Sequence, residues 1–299
     1  MSLIIVGSMA FDTIETPFER RERIVGGSGT YASIAASFFT APKVVSVVGE
    51  DFPVAVIQWM KKRGIDLSGL EIREGKTFFW EGRYGDDPNQ RTTLKTEVNV
   101  FLDFRPRLNE DYREAEIVLL GNIDPDLQEE ILDQVRQPKL VAMDTIALWI
   151  ESKRDAMLRT LKRVDVFFAN DEEIRLITRE NNLVRAVRML QEFGPGIVVA
   201  KKGEHGALVF NGDRIFGVLA HPCESVVDPT GAGDSFAGGF LGYIDGLKTM
   251  EDADIRRASV YGSVMASFVI EDFGIERLKN IEEADIERRY AVFKNLVSF

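Results

Sequence analysis

Val227-Asp228-Pro229-Thr230-Gly231-Ala232-Gly233-Asp234-Ser235-Phe236-Ala237-Gly238-Gly239-Phe240 is the stretch from which the rest of this chain is best read. Pro229 and Thr230 make a turn, since proline presets the backbone for one. Gly231, Ala232 and Gly233 then leave backbone N–H groups uncovered where a long helical pattern begins. Such a start is an anion site, because free donors and the positive end of the helix dipole point the same way. Asp234 falls in the first turn. It serves there as a stabilising acidic cap. Alternatively, it takes a proton from an attacking hydroxyl while the neighbouring N–H groups hold a transferring phosphoryl group.

Upstream of this stretch, short apolar runs alternate with helical periodicity. Leu3 to Val6, Val44 to Val48, Ile117 to Leu120, Leu140 to Met143, Val166 to Ala169 and Ile197 to Ala200 read as strands covered on both faces. Helix signals lie between them. Asp51-Phe52-Pro53 opens an amphipathic segment that ends at Gly64, with Asp51 as an acidic cap. Asp124-Pro125 opens a second, and Asn170-Asp171-Glu172-Glu173 a third. Strands and helices alternating at this spacing predict an α/β fold, a three-layer αβα sandwich around a mainly parallel sheet. One region breaks the rhythm. Thr77 to Tyr84 and Arg91 to Thr96 are aromatic or β-branched runs around the turn-rich Gly85 to Gln90, the signature of a hairpin. It predicts a small antiparallel sheet in a single domain spanning 1–299, read either as an edge decoration or as a lid, from about 11–24 and 70–105, over the ligand crevice.

Composition narrows the partners. The 299 residues carry 37 Lys+Arg against 48 Asp+Glu, a net charge of −11, which argues against a general nucleic-acid binder. A phosphorylated small molecule needs only a local nest of donors and is not excluded. The single cysteine, Cys223, rules out a disulfide framework within the chain, and with two histidines it makes a His/Cys zinc site improbable. No apolar run reaches the length of a membrane span, and the N-terminal apolar stretch is too short for a signal peptide. A soluble, cytoplasmic protein is expected.

The full run from Asp228 to Phe240 resembles the ribokinase/PfkB family of sugar and nucleoside kinases, and further segments resemble it in the same chain order. Ile5-Val6-Gly7-Ser8-Met9-Ala10-Phe11-Asp12 looks like the family's first strand, ending in the Asp that binds substrate hydroxyls. Gly26-Gly27-Ser28-Gly29-Thr30-Tyr31 looks like the glycine pair that opens a helix beside the substrate. Ser46 to Asp51 follows as a strand-to-helix turn. Asn170-x-x-Glu173 matches the motif linked to Mg²⁺ and phosphate, and Lys202-Gly203-Glu204-His205-Gly206 matches the nucleotide loop. The resemblance implies an ATP- and Mg²⁺-dependent phosphotransferase acting on a hydroxymethyl group. Asp234 would be its base, Gly231, Ala232 and Gly233 its anion hole, and Asp12, Gly26, Gly27 and Tyr31 its acceptor site. Lys202, Gly203, Gly206 and Thr230 would bind nucleotide, and Asn170 and Glu173 would serve the metal. A monovalent cation as activator and a homodimer formed through the lid are left open. Two positions depart from the pattern: Tyr31 stands where the family usually has Asn, and Lys201 where it often has Thr.

Rival patterns fail on context. Gly27 to Ala32 fits G-x-G-x-x-A, with Glu50 23 residues beyond Gly27, but the preceding Arg20 to Val25 is too charged for a buried Rossmann strand. Gly75-Lys76-Thr77 lacks the earlier glycine of a P-loop, since Leu70 occupies that place. His205 and His221 read as a loop residue and a solvent contact. A non-catalytic nucleotide sensor is the alternative from another class, and a sugar kinase the alternative acceptor. A nucleoside acceptor is expected on two grounds. Tyr31, Phe78, Phe79, Trp80, Tyr84 and Phe101 offer flat surfaces for a base, and Ala266 to Gly274 resembles the adenosine- and nucleoside-kinase branch.

Overall fold

A computed structural model describes residues 2–297. The strands, in chain order, begin with β1 (Leu3–Val6), β2 (Ala10–Glu15), β3 (Arg20–Gly26), β4 (Lys43–Gly49) and β5 (Asp66–Arg73). Next come β6 (Phe79–Tyr84), β7 (Arg91–Glu97), β8 (Ile117–Leu120) and β9 (Leu140–Asp144). The last are β10 (Val166–Asn170), β11 (Ile197–Lys201), β12 (Ala207–Asn211) and β13 (Arg214–Val218). Nine of them form one sheet in the order β13-β12-β11-β10-β9-β8-β1-β4-β5. Pairing is parallel from β5 through β11, and antiparallel only where β12 and β13 close the edge.

The continuous apolar runs are explained by the two cores that this sheet separates. Leu3 and Ile5 of β1 face one core, while Ile4 and Val6 face the other. Successive side chains of a strand point to opposite faces, so a strand covered on both sides must be apolar throughout. The first core packs the sheet against helices Ser28–Ala36, Ala232–Asp245 and Asp252–Val269. The second packs it against Pro125–Leu132, Arg154–Leu161, Asp171–Thr178 and Leu183–Phe193. Gly242 lets two helices of the first layer approach closely: a Cβ there would lie 2.9 Å from the Cα of Ala36. Nearer the start of Ala232–Asp245, Gly238 meets the backbone of Ser28–Ala36 too: a Cβ there would collide with the Ala32 carbonyl oxygen.

A second sheet of four strands, β3-β2-β6-β7, stands apart from the first. The hairpin expected from Thr77 to Thr96 is present as antiparallel β6 and β7. The sheet is not purely antiparallel, however, because its middle pair, β2 and β6, runs parallel. Residues that far apart in sequence reach the sheet from separate crossovers, and local turn signals carry no record of that pairing. Asp66–Arg73 is an edge strand of the large sheet, so the 70–105 segment begins outside the small one. Asp12 lies in β2 of the small sheet and not at the end of β1, because the chain leaves the large sheet at Gly7. There Met9 N donates to Ser46 Oγ (3.1 Å), and Ser8 and Ser28 each donate backbone N–H to the other's hydroxyl. Asp51 does not cap the helix Val54–Lys62, which Pro53 precedes. Its carboxylate instead accepts from Thr77 N (2.8 Å) and Thr77 Oγ1 (2.6 Å), tying β4 to the entry of β6. Among the described residues, no helix is long and apolar enough to cross a membrane.

Candidate active site

The carboxyl ends of parallel strands form the crevice where ligands of open α/β sheets bind. Here β9, β10 and β11 end there in Asp144, Asn170 and Lys201. The helix Ala232–Asp245 begins beside them. Gly231 precedes it at φ +81°, and no side chain caps the start. A left-handed backbone is costly for residues other than glycine. A Cβ at Gly231 would also collide with the Tyr31 ring. The Ala232 N–H turns to the Pro229 carbonyl at 3.3 Å. Among the described residues, the Gly231 and Gly233 N–H groups have no acceptor.

Asp234 follows in the first turn, partly buried. Burial and the negative charge of Asp144 push its carboxyl up to about 7, against the pull of Lys201 and Arg91. Asp12 is buried in β2, and its carboxyl is pushed up to about 8 by burial and by the charges of Asp228 and Asp234. A side chain at Gly26 would collide with the Asp12 carboxylate, so the glycine leaves that group room. Tyr31 sits between these two centres. The residue is 1% exposed, its ring packed near Gly26 and Gly231, and its buried hydroxyl has no hydrogen-bond partner among the described residues.

Asp228, fully buried, stitches the turn together. It accepts from Thr230 N (2.9 Å) and from Gly274 N (3.3 Å), and burial raises its carboxyl to about 6. The Thr230 hydroxyl lies 3.0 Å from Tyr84 Oη, linking the turn to the small sheet. The segment Lys202 to Gly206 folds as a short 3₁₀ loop with Lys202 N donating to Gly206 O (2.7 Å), and Gly203 and Gly206 both have positive φ. Asn89, in the β6–β7 turn, touches Gly203 closely enough that a Cβ there would collide with it. Asn170 and Glu173 form a capping box on Asp171–Thr178: Glu173 N donates to Asn170 Oδ1 (2.7 Å) and Asn170 N to Glu173 Oε2 (2.8 Å). Burial raises the Glu173 carboxyl to about 7, against Lys201.

The aromatic surface anticipated for a base is mostly spent elsewhere. Tyr31 and Tyr84 are buried. Phe78 and Phe101 pack edge-on at 6.1 Å within the second core, because the segment after β7 returns to the large sheet. Trp80 donates to Thr93 Oγ1 (3.2 Å) and lies under Arg91 (5.8 Å). Phe79 and Trp80 remain partly exposed. His205 is exposed on its loop, and His221 packs against Phe293 at 6.1 Å. Neither approaches Asp234 in any contact among the described residues.

Sequence reasoning left Asp144 and Arg91 without a role in the site, took Tyr84 only as a stacking surface and treated Lys201 only as a departure. Lys201 Nζ lies 2.8 Å from Asp144 Oδ2. Burial lowers its affinity for a proton, but Asp144 and Glu173 outweigh that and hold the ammonium charged. Arg91, on the small sheet, brings a positive charge toward Asp12, Glu173 and Asp234. The ends of β9 and β11 were the available signal, since each buried strand closes on a charged residue.

Comparison with known proteins establishes the family. Over 252 residues the chain is 32% identical to the cytidine kinase of Thermococcus kodakarensis, covering 82% of this chain and 90% of that one. It is 27% identical to the nucleoside kinase of Methanothermobacter thermautotrophicus, over 92% of this chain and 91% of the relative. The crystal structure of the nucleoside kinase of Methanocaldococcus jannaschii, an archaeal member of the ribokinase family, shares the fold. Its TM-score is 0.75, with 21% identity, over 98% of this chain and 99% of that one. The pattern of the pfkB family carbohydrate kinases matches residues 2–279, so this chain belongs to that family of phosphotransferases acting on hydroxyl groups.

Proposed function

We propose that the protein transfers the terminal phosphoryl group of ATP to a hydroxymethyl group of a nucleoside. The observation that carries the phosphoryl-transfer chemistry is one juxtaposition: Asp234, a carboxyl raised to about 7, beside Gly231 and Gly233 N–H groups that lack acceptors. The acceptor lies between Asp12, Gly26, Gly27, Tyr31 and the small sheet. Asp12 receives its hydroxyls, and the unpaired Tyr31 hydroxyl is free to bond to it. Asp234 takes the proton of the attacking hydroxyl. The Gly231 and Gly233 N–H groups then hold charge on the transferring group, with Ala232 shaping the turn. Phosphoryl transfer depends mainly on such positioning and electrostatics.

The loop of Lys202, Gly203 and Gly206 holds the nucleotide, and Thr230 orients the turn through Tyr84. The Asn89–Gly203 contact places the tip of the small sheet on that loop, the arrangement of a lid that shuts water out. Among the described residues, no group of three Asp, Glu, His or Cys is set to hold a metal. That suits Mg²⁺, which keeps its waters and arrives on phosphates. One Glu173 oxygen outside the capping box, with Asn170 beside it, would hold the ion through water. When bound it neutralises charge on the phosphate oxygens. A cytoplasmic enzyme, able to pair through the small sheet, completes the reading.

The relatives named for cytidine and for nucleosides support a nucleoside over a free sugar. The test is kcat/KM for cytidine, adenosine, inosine, ribose and fructose, measured side by side with Mg-ATP. A nucleoside should lead. Preference for a free sugar over every nucleoside overturns the acceptor, and turnover of none overturns the kinase reading.

A further inference from the structure

We infer that Lys201 is a further catalytic residue of this transfer: its ammonium, held by Asp144, meets the oxygens of the donor's terminal phosphate beside the Gly231–Gly233 turn. The inference rests on the phosphotransferase reading above. Its ground is geometric. Lys201 and Asp144 pair at 2.8 Å, with side chains 17% and 7% exposed. The other Asp144 oxygen accepts from Thr145 N at 2.8 Å, so the carboxylate is fixed from both sides. Opposite Asp144, a Cβ at Gly233 would lie 2.8 Å from Lys201 Nζ. Glycine there leaves room for the ammonium to rest against the first turn of the helix.

Two positive features therefore share one space: an ammonium, and a helix start with N–H groups lacking acceptors. Asp144 answers the ammonium from one side, but among the described residues nothing accepts from the Gly231 and Gly233 N–H groups beside it. A buried ion pair is also a poor way to stabilise a core, since well-packed apolar residues of similar volume commonly do as well or better. A structural role accounts for the pair, but not for its being aimed at an uncapped helix. A phosphate accounts for both. Lysine binds phosphate as a compact point charge on a flexible stem. Asp144 anchors that stem, and the negative charges of Glu173 and Asp234 help to keep it protonated. Arg91 supplies the opposing cation from the small sheet.

The experiment compares the parent with K201M and K201R, using ATP affinity by calorimetry and steady-state kcat with the best acceptor. K201M should bind ATP at least about tenfold more weakly, as expected for losing a charge-assisted contact. It should lose about 10²–10³ in kcat, as when a charge-stabilising donor is removed. The acceptor KM should hold within about twofold, and K201R should restore part of both losses, because a cation of similar reach is back in place. Parent-like ATP affinity and kcat in K201M overturn the inference. K201M leaves Asp144 buried without its cation, so the K201M/D144N double variant guards against misfolding. A folded double variant with parent-like kcat overturns the inference too. If the parent binds ATP but phosphorylates nothing, the kinase reading fails while the ATP comparison still decides Lys201. If the parent binds no ATP, both fall.

Discussion

Two helices begin at the carboxyl ends of the large sheet's strands, and they treat their first N–H groups in opposite ways. Asp171–Thr178 closes its start with a reciprocal capping box from Asn170 and Glu173. Ala232–Asp245 has no side-chain cap, and it opens at a left-handed Gly231. A cap residue is worth about 1 kcal/mol, so the second helix forgoes stability that the first collects. The difference separates two motifs that look equally functional as sequence. The N-x-x-E pair spends Asn170 Oδ1 and one Glu173 oxygen on its own backbone, whereas the glycine turn keeps its donors for a ligand. On the function proposed above, the open start holds the chemistry and the closed one supports it from beside.

The largest expected effect that would break this comparison is on Asp234. Asp234→Asn should lower kcat by about 10²–10⁴-fold, the usual cost of a lost general base, with ATP affinity kept. A coupled phosphorylation assay that finds kcat within about threefold of the parent removes Asp234 from that role.

Gly231→Ala comes next. It forces a side chain into φ +81° and against the Tyr31 ring, so the turn must move and its N–H groups lose aim. A fall in kcat of about 10²–10³-fold is expected, as for an oxyanion donor. Retained kcat with a parent-like Tm shows that the open start needs no special geometry.

The pH profile sharpens the same point. The Asp234 carboxyl is raised to about 7, so it gains a proton as pH falls through that value and ceases to be a base. The kcat should drop by about tenfold per pH unit on the acid side, the slope of one protonation. A limb centred near the ordinary carboxylate range contradicts the buried, Asp144-facing setting of Asp234.

The smallest effects belong to the closed helix. Asn170→Ala should lower Tm by about 2–4 °C for the loss of one cap. Glu173→Gln keeps an oxygen for the Asn170 amide and so should keep the Tm. It should instead raise the Mg²⁺ concentration needed for half-maximal rate, because the amide is a poorer partner for a hard cation. Unchanged Mg²⁺ dependence reduces the motif to a cap and makes the contrast between the two helices complete.

Legibility followed the range of the interactions involved. The strand at Ile197 to Ala200, the helix after Asp124-Pro125 and the β6–β7 hairpin were readable because each is set by neighbouring residues. The place of Asp12 in β2 was not, since β1 and β2 are parted by a break at Gly7 that long-range bonds of Ser8, Ser28 and Ser46 hold in place. The stacking surface for a base was over-read. Phe78 and Phe101 look like partners of the hairpin, yet they close the second core, about twenty residues of chain apart. Lys201 was visible as an unusual residue without a reason.

By itself, the sequence determined the α/β alternation, the glycine turn before Asp234 and the family that carries both. Strand period, helix caps and left-handed turns are written in short stretches of chain. The tertiary structure alone decided which charges meet. Asp12, Asp144, Glu173, Lys201 and Asp234 come from β2, β9, two helices and β11, and Arg91 reaches them from β7. The proton affinities of Asp12, Glu173, Lys201 and Asp234 are shifted by burial and by neighbouring charges. Those are properties of distances between segments far apart in the chain, and no local pattern encodes them.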